Sequence, residues 1–200
     1  HPEVIKKSVG GLFTEMVGTG GPFVGQLTRA GNTYWDLALK SVLADSGRDS
    51  KTVPFLKSAA NDEKIMDSPG VDIPTVSLTR FPYPEYHTSD DCVDLISGPC
   101  LSESRDILLA FIDAIENDYI PVLLYPGPIF LSGYDLYPDW RNDSKLKGMW
   151  DAFIKVMYAI DGRRSILEIA RDKGLQLSQV KYWCDGFAEK GLLKKAPKVI

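Results

Sequence analysis

Residues 73–91 read IPTVSLTRFPYPEYHTSDD. The first part, 73–81, is β-branched at its start and predicts a strand. The rest is a loop of Pro and Tyr that sets His87 directly behind Tyr86 and ahead of the acidic pair Asp90-Asp91. A neutral imidazole is a common metal ligand and general base, and a phenol beside it can donate a hydrogen bond to developing oxyanion charge. A histidine in such a loop is ordinarily only a polar loop residue, so the weight of the reading depends on what lies around it.

Upstream, residues 9–17 (VGGLFTEMV) form a short apolar run bounded by Gly18 and Gly20-Gly21-Pro22, which predicts a buried strand ending in a glycine loop. Residues 33–46 predict a helix with Trp35, Ala38, Leu39, Val42 and Leu43 on one face and Gly47 as its stop. Residues 53–56 suggest a short edge strand, since Pro54 cannot donate to a ladder. Residues 61–63 and 67–70 carry loop chemistry. Downstream, 102–118 predict a helix with Leu108, Phe111, Ile112 and Ile115 as its buried stripe. Strands alternating with amphipathic helices indicate an α/β layer architecture.

The C-terminal part has a different character. Residues 125–148 are rich in Pro, Gly and aromatics at first and lack periodicity, as a linker that packs on something would. From residue 151 there are 10 Lys+Arg against 6 Asp+Glu, net +4, whereas the first 150 residues hold 13 against 21, net −8. Three short helices fit here. Residues 152–160 bury Phe153, Val156, Met157 and Ile160. Ser165 to Glu168 is a capping box that opens a second helix ending near Gly174. Ser178 caps a third, with Val180, Trp183, Cys184 and Phe187 as its stripe. An extended tail follows, and the pattern over 149–200 suggests a small winged-helix-like domain.

At 200 residues and 44% hydrophobic the chain has enough apolar material for one substantial core and a small second module. No run of 18 apolar residues exists, so no helix is expected to span a membrane. No charged leader followed by an apolar stretch is present, and Cys92, Cys100 and Cys184 are odd in number without CxxC spacing. Reduced thiols in a cytoplasmic protein are the expectation. The chain opens His1-Pro2 without a methionine, as a chain lacking its first half would. Gly18, Gly20 and Gly21 form no phosphate loop, because no GK[ST] follows.

An ordered series of blocks resembles the co-catalytic zinc aminopeptidase family, in its bacterial branch with a C-terminal winged helix (DUF4910-like). The blocks are residues 10–18 (GGLFTEMVG), Asn61-Asp62-Glu63, residues 68–74 (SPGVDIP), Arg80 and residues 86–91 (YHTSDD), with Leu-Tyr-Pro in the linker and Ile-Asp-Gly at 160–162. The resemblance implies an α/β, aminopeptidase-like (phosphorylase/hydrolase-type) sheet with flanking helices over 1–124. It also implies metal-assisted hydrolysis of an amide bond in a peptide or peptide-like substrate. By the same resemblance Glu15 and His87 are zinc ligands, Tyr86 polarises the scissile carbonyl, and two zinc ions belong to the complete protein. Glu15 stands where the family commonly has Asp. The remaining ligands and the general base belong to motifs upstream of Glu15, which makes the upstream part of the same protein a partner of this chain. The physical argument agrees in part: zinc takes oxygen and nitrogen ligands, and sites in open α/β sheets sit at the carboxyl ends of strands.

Other residues have two readings. Asp62 and Glu63 are either a solvated acidic turn or part of the site, orienting a ligand or holding the substrate's amine. Arg80 either pairs with a neighbouring acid or binds a substrate carboxylate. Asp90 and Asp91 read as caps of the segment that follows. The third C-terminal helix sets Lys181 and Lys190 against Asp185 and Glu189, which is a poor phosphate-binding stripe, so nucleic acid is not the expected partner. Packing or homo-oligomerisation is the expected role of that domain. The alternatives to an enzyme are a non-catalytic interaction module that keeps the fold and, behind it, a winged-helix DNA-binding protein.

Overall fold

Four short strands form in the first 80 residues: β1 (Gly11–Glu15), β2 (Phe23–Gln26), β3 (Ser50–Val53) and β4 (Thr75–Arg80). The computed structural model describes residues 2–58, 60–137 and 145–198, and these strands lie in the first of two units, His1–Glu116 and Asn117–Val199. The order across the sheet is β1-β4-β2-β3. The pairs β1–β4 and β2–β3 are parallel, and β2–β4 is antiparallel. All six residues of β4 are buried, as in a strand covered on both faces, which explains why its sequence does not alternate.

Four helices accompany the sheet: α1 (Pro2–Lys7), α2 (Tyr34–Asp45), α3 (Glu63–Met66) and α4 (Gly98–Glu116). Helix α2 packs on β2, β3 and β4 and against α4, while α3 contacts β1 and β4. The approach of α2 is close enough to require a glycine: a Cβ at Gly25 would lie 2.7 Å from a Leu43 methyl and 3.0 Å from one of Leu39. Thr33 and Asp36 form a capping box at the start of α2. Asp36 is buried and also accepts from the backbone N–H of Thr28 at 2.7 Å and its hydroxyl at 2.6 Å. That bond pair ties the exit of β2 to the helix.

The structure shifts several expected boundaries. The strand expected over 9–17 contracts to Gly11–Glu15, because its partner β4 begins after Pro74, which has no N–H to extend the ladder. The strand expected at 53–56 lies at Ser50–Val53. Pro54 ends it and starts a turn in which Lys57 N–H donates to Pro54 O at 3.2 Å. Elements α1, β2 and α3 were not foreseen, being too short for periodicity to register. Helix α4 buries Ser104, Ile107, Phe111 and Ala114, one step round from the expected stripe, and Ile112 is 45% exposed. The rotation is set by Ser104, whose hydroxyl donates to Val17 O at 2.6 Å and accepts from Arg80 Nε at 3.2 Å.

In the second unit β5 (Tyr119–Leu123) pairs antiparallel with β6 (Leu193–Pro197). The strand β5 therefore goes with the C-terminal helices, although the sequence reading leaves it in the segment before residue 124. Helices α5 (Lys145–Met157), α6 (Ile166–Lys173) and α7 (Leu177–Glu189) pack on one another around Phe153, Val156, Ile169, Val180, Trp183 and Phe187. The expected capping box of Ser165 and Glu168 is present, with Gly174 in the left-handed conformation at the other end. Helix α7 starts earlier than Ser178 suggested, capped by Gln176 and Gln179, and α5 starts well before residue 152. Of the expected linker, Ile129 and Leu131 join the core, and residues 138–144 lie outside the described residues. Among the described residues no helix is long and apolar enough to cross a membrane.

Candidate functional site

Strands β1 and β4 are adjacent and parallel, so their carboxyl ends lie side by side, with Glu15 in register with Thr79. A positive-φ residue follows each of the two ends, as also occurs at Leu56, Asp72 and Asp135. Met16, directly after Glu15, has φ 52°, and His87, in the loop beyond β4, has φ 61°. Side-chain-bearing residues seldom adopt such angles, and where they do the surroundings must hold them.

Glu15 is partly buried, and its Oε2 accepts from the side-chain amide of Asn61 at 2.5 Å. The backbone N–H of Asn61 donates to both oxygens of Glu63, at 3.1 and 3.0 Å. Glu63 is fully buried and takes the amide of Gln26 at 3.0 Å, and Gln26 in turn accepts from the N–H and hydroxyl of Ser58. One asparagine thus joins two carboxylates. Burial pushes the Glu15 carboxyl above its usual range; the Asn61 bond pulls it back, and the charge of Glu63 raises it further. Beside Glu15, the hydroxyl of Thr79 is buried and makes no hydrogen bond to a described residue.

On the neighbouring loop the rings of Tyr86 and His87 stack at 3.9 Å. Both are exposed, and neither the phenol nor the imidazole hydrogen-bonds to a described residue. Tyr83 is buried and its phenol donates to Asp91, a bond that pushes the phenol up to about 12. Asp91 is therefore not a helix cap, and the single turn at Val93–Leu95 has no side-chain cap.

The structure gathers Glu15 and Glu63, together with Asn61, Gln26 and Thr79. No hydrogen bond or ion pair joins Glu15 to His87 among the described residues. Asp62 is exposed and caps nothing. Arg80 is buried, with Nε on Ser104 (3.2 Å), Nη1 on Gly21 O (3.0 Å), Nη2 on Cys100 O (3.3 Å) and Glu103 (2.7 Å), and its guanidinium over the Phe23 ring. Of its two readings, pairing with a neighbouring acid is the one its contacts match. A carboxylate oxygen and an imidazole nitrogen fit zinc by type. They fall short by number: among the described residues no group of three or more His, Cys, Asp or Glu side chains could hold a metal ion. Asn61 has no signal in the sequence beyond its place in the block 61–63, and Gln26 lies on a strand too short for periodicity to mark.

Residues 1–118 match the family described as "Domain of unknown function (DUF4910)". The chain is 28% identical over 187 residues to a Clostridium acetobutylicum protein named "Putative polysaccharide biosynthesis protein with aminopeptidase-like domain", covering 92% of this chain and 43% of that protein. It is similar to the crystal structure of a "putative peptidase" from the same organism, with a TM-score of 0.79 and 26% identity over 98% of this chain and 44% of that one. The chain thus spans less than half the length of these relatives.

Proposed function

The chain belongs to the DUF4910 family, and on that premise we propose that it forms part of a zinc-dependent, aminopeptidase-like hydrolase of amide bonds. One observation carries this reading: two adjacent parallel strands each lead, at the carboxyl edge of the sheet, to a strained backbone position that carries or follows a candidate ligand. Glu15 and His87 would hold the metal, with the remaining ligands and the general base supplied by sequence outside residues 1–200. Asn61 fixes one oxygen of Glu15 and leaves the other without a hydrogen bond to a described residue, while Glu63 holds Asn61 and Gln26 holds Glu63. The phenol of Tyr86 donates to the carbonyl oxygen as it gains charge. When bound, zinc would supply an acidified water and polarise the carbonyl. The substrate class is a peptide or peptide-like amide. The Clostridium relative is named for polysaccharide biosynthesis, which supports a sugar-linked amide as a further substrate in this proposal.

The second unit is a winged-helix-like module in this proposal, with a packing or oligomerisation role, and the whole protein is cytoplasmic. The test is zinc content of a protein completed to the length of its relatives. Stoichiometric zinc that falls in His87→Ala and in Glu15→Gln supports the ligand assignment. Unchanged zinc in both variants removes it, and a completed protein without zinc is a non-catalytic interaction module.

A further inference from the structure

A cavity of about 180 Å3 lies between the loop that leaves β1 and the loop that leaves β4. Its walls are Gly20 and Gly21 on one side, Pro82, Tyr83 and Glu85 on the other, and Leu95. Two further features single it out. The polar side chains of its wall are already engaged, except one: Thr19 donates its hydroxyl to Met16 O at 3.0 Å and Tyr83 donates to Asp91, while the Glu85 carboxylate has no hydrogen bond or ion pair with any described residue. Second, neither chain segment that builds the cavity carries a lysine or an arginine. Residues 16–28 and 81–104 contain no Lys or Arg, and the nearby Arg80 is spent on Glu103 and backbone carbonyls.

A carboxylate set among prolines, a leucine and a tyrosine ring, with no counter-charge in either loop, is complementary to one ligand chemistry. A neutral apolar group would cover Glu85 without pairing it, at a desolvation cost. An anion would meet Glu85 and Asp91 together. A cation on a short aliphatic stem satisfies the carboxylate with its head and the apolar wall with its stem. The volume suits such a chain and falls well below the roughly 300–1,000 Å3 of pockets that take drug-sized ligands. We propose that this cavity is a subsite for an alkylammonium or guanidinium group, such as a lysine or arginine side chain presents, on the ligand bound at the Tyr86-His87 loop. The assignment of that loop as the reacting site rests on the function proposed above; the cavity's preference for a cation does not.

The test is binding, not turnover. The 200-residue chain is titrated with pentylammonium, 1-pentanol and pentanoate, and backbone amides are followed by heteronuclear NMR. Pentylammonium should shift the amides of Gly20 and Gly21 saturably, with pentanol about fivefold weaker, the scale of one partly exposed ion pair, and pentanoate weaker still. Glu85→Gln should remove the preference for the ammonium while leaving the rest of the spectrum in place, since the Glu85 side chain holds nothing in the fold. Equal affinity for ammonium and alcohol, or no saturable shift at Gly20 and Gly21 with any probe, overturns the proposal. A protein that binds no zinc but keeps this preference would refute the metallohydrolase reading alone; zinc loading without the preference would refute the subsite alone.

Discussion

At the scale of single residues the proposal concentrates on Tyr86 and Asn61. In a protein completed to the length of its relatives, Tyr86→Phe should leave zinc content unchanged and slow turnover roughly 100- to 1,000-fold, as loss of one oxyanion donor does. A variant that matches the parent in rate makes Tyr86 a surface residue stacked on His87. Asn61→Ala frees Glu15 and removes no metal ligand. It should cost about 2 kcal/mol in urea unfolding, the worth of a hydrogen bond to a charged group. The cost should shrink in Glu15→Gln, where the acceptor is no longer ionic. Tyr86 and His87 enter as candidates because they occur together in an ordered series of blocks. The role of Asn61 is not legible, since nothing in Asn61-Asp62-Glu63 says that the first residue reaches β1 and the third is buried. Arg80 shows the same limit: its partner Glu103 is 23 residues away and on another element.

Among the elements, α4 offers the sharpest check. Ile107 is 4% exposed and Ile112 is 45% exposed, yet the sequence pattern puts Ile112 in the stripe. Ile107→Ala should therefore destabilise by about 2–4 kcal/mol and Ile112→Ala by less than about 1 kcal/mol, measured by denaturant midpoints. Periodicity identified the helix and missed its rotation, because a serine that bonds the sheet can face inward as well as a leucine. The turn before α6 supplies a pH test. Asp161 is held at about 2, first by the backbone N–H of Arg164, with the N–H of Arg163 and the Arg164 side chain assisting. Its folded value lies below its unfolded value of 3.8. The contribution to stability is therefore complete above 3.8 and disappears as pH falls through about 2. Asp161→Asn should cost about 1 kcal/mol at neutral pH, discounted for solvent screening at this partly exposed site, and nothing once Asp161 is protonated.

For the whole molecule, the 200 residues by themselves should release no N-terminal residue from short peptides, even with added zinc. Hydrolysis at neutral pH needs an acidified water, a base and an ion open to the carbonyl, and Glu15 and His87 are the only two ligands proposed here. Chelator-sensitive turnover by this chain alone would show that the site is complete within it. Duplex DNA should bind only weakly and without sequence preference, because Lys195 of the basic tail is paired with Asp185 on α7 at 2.8 Å; submicromolar affinity at physiological salt would overturn this. The sequence by itself determined the α/β class, the helices with strong periodicity or caps, and the order of the blocks around Glu15 and His87. Those features depend on residues a few positions apart, which covalent geometry keeps together. Only the tertiary structure decided which strands pair, that Thr79 is buried in register with Glu15, and that Asn61 ties Glu15 to Glu63. It also decided that Arg80 is spent within the fold and that Glu85 borders a cavity while pairing with none of the described residues. Each of these is a contact between segments distant along the chain. Short-range pattern cannot encode such contacts, because they arise from how the elements pack and from which polar groups that packing leaves unsatisfied.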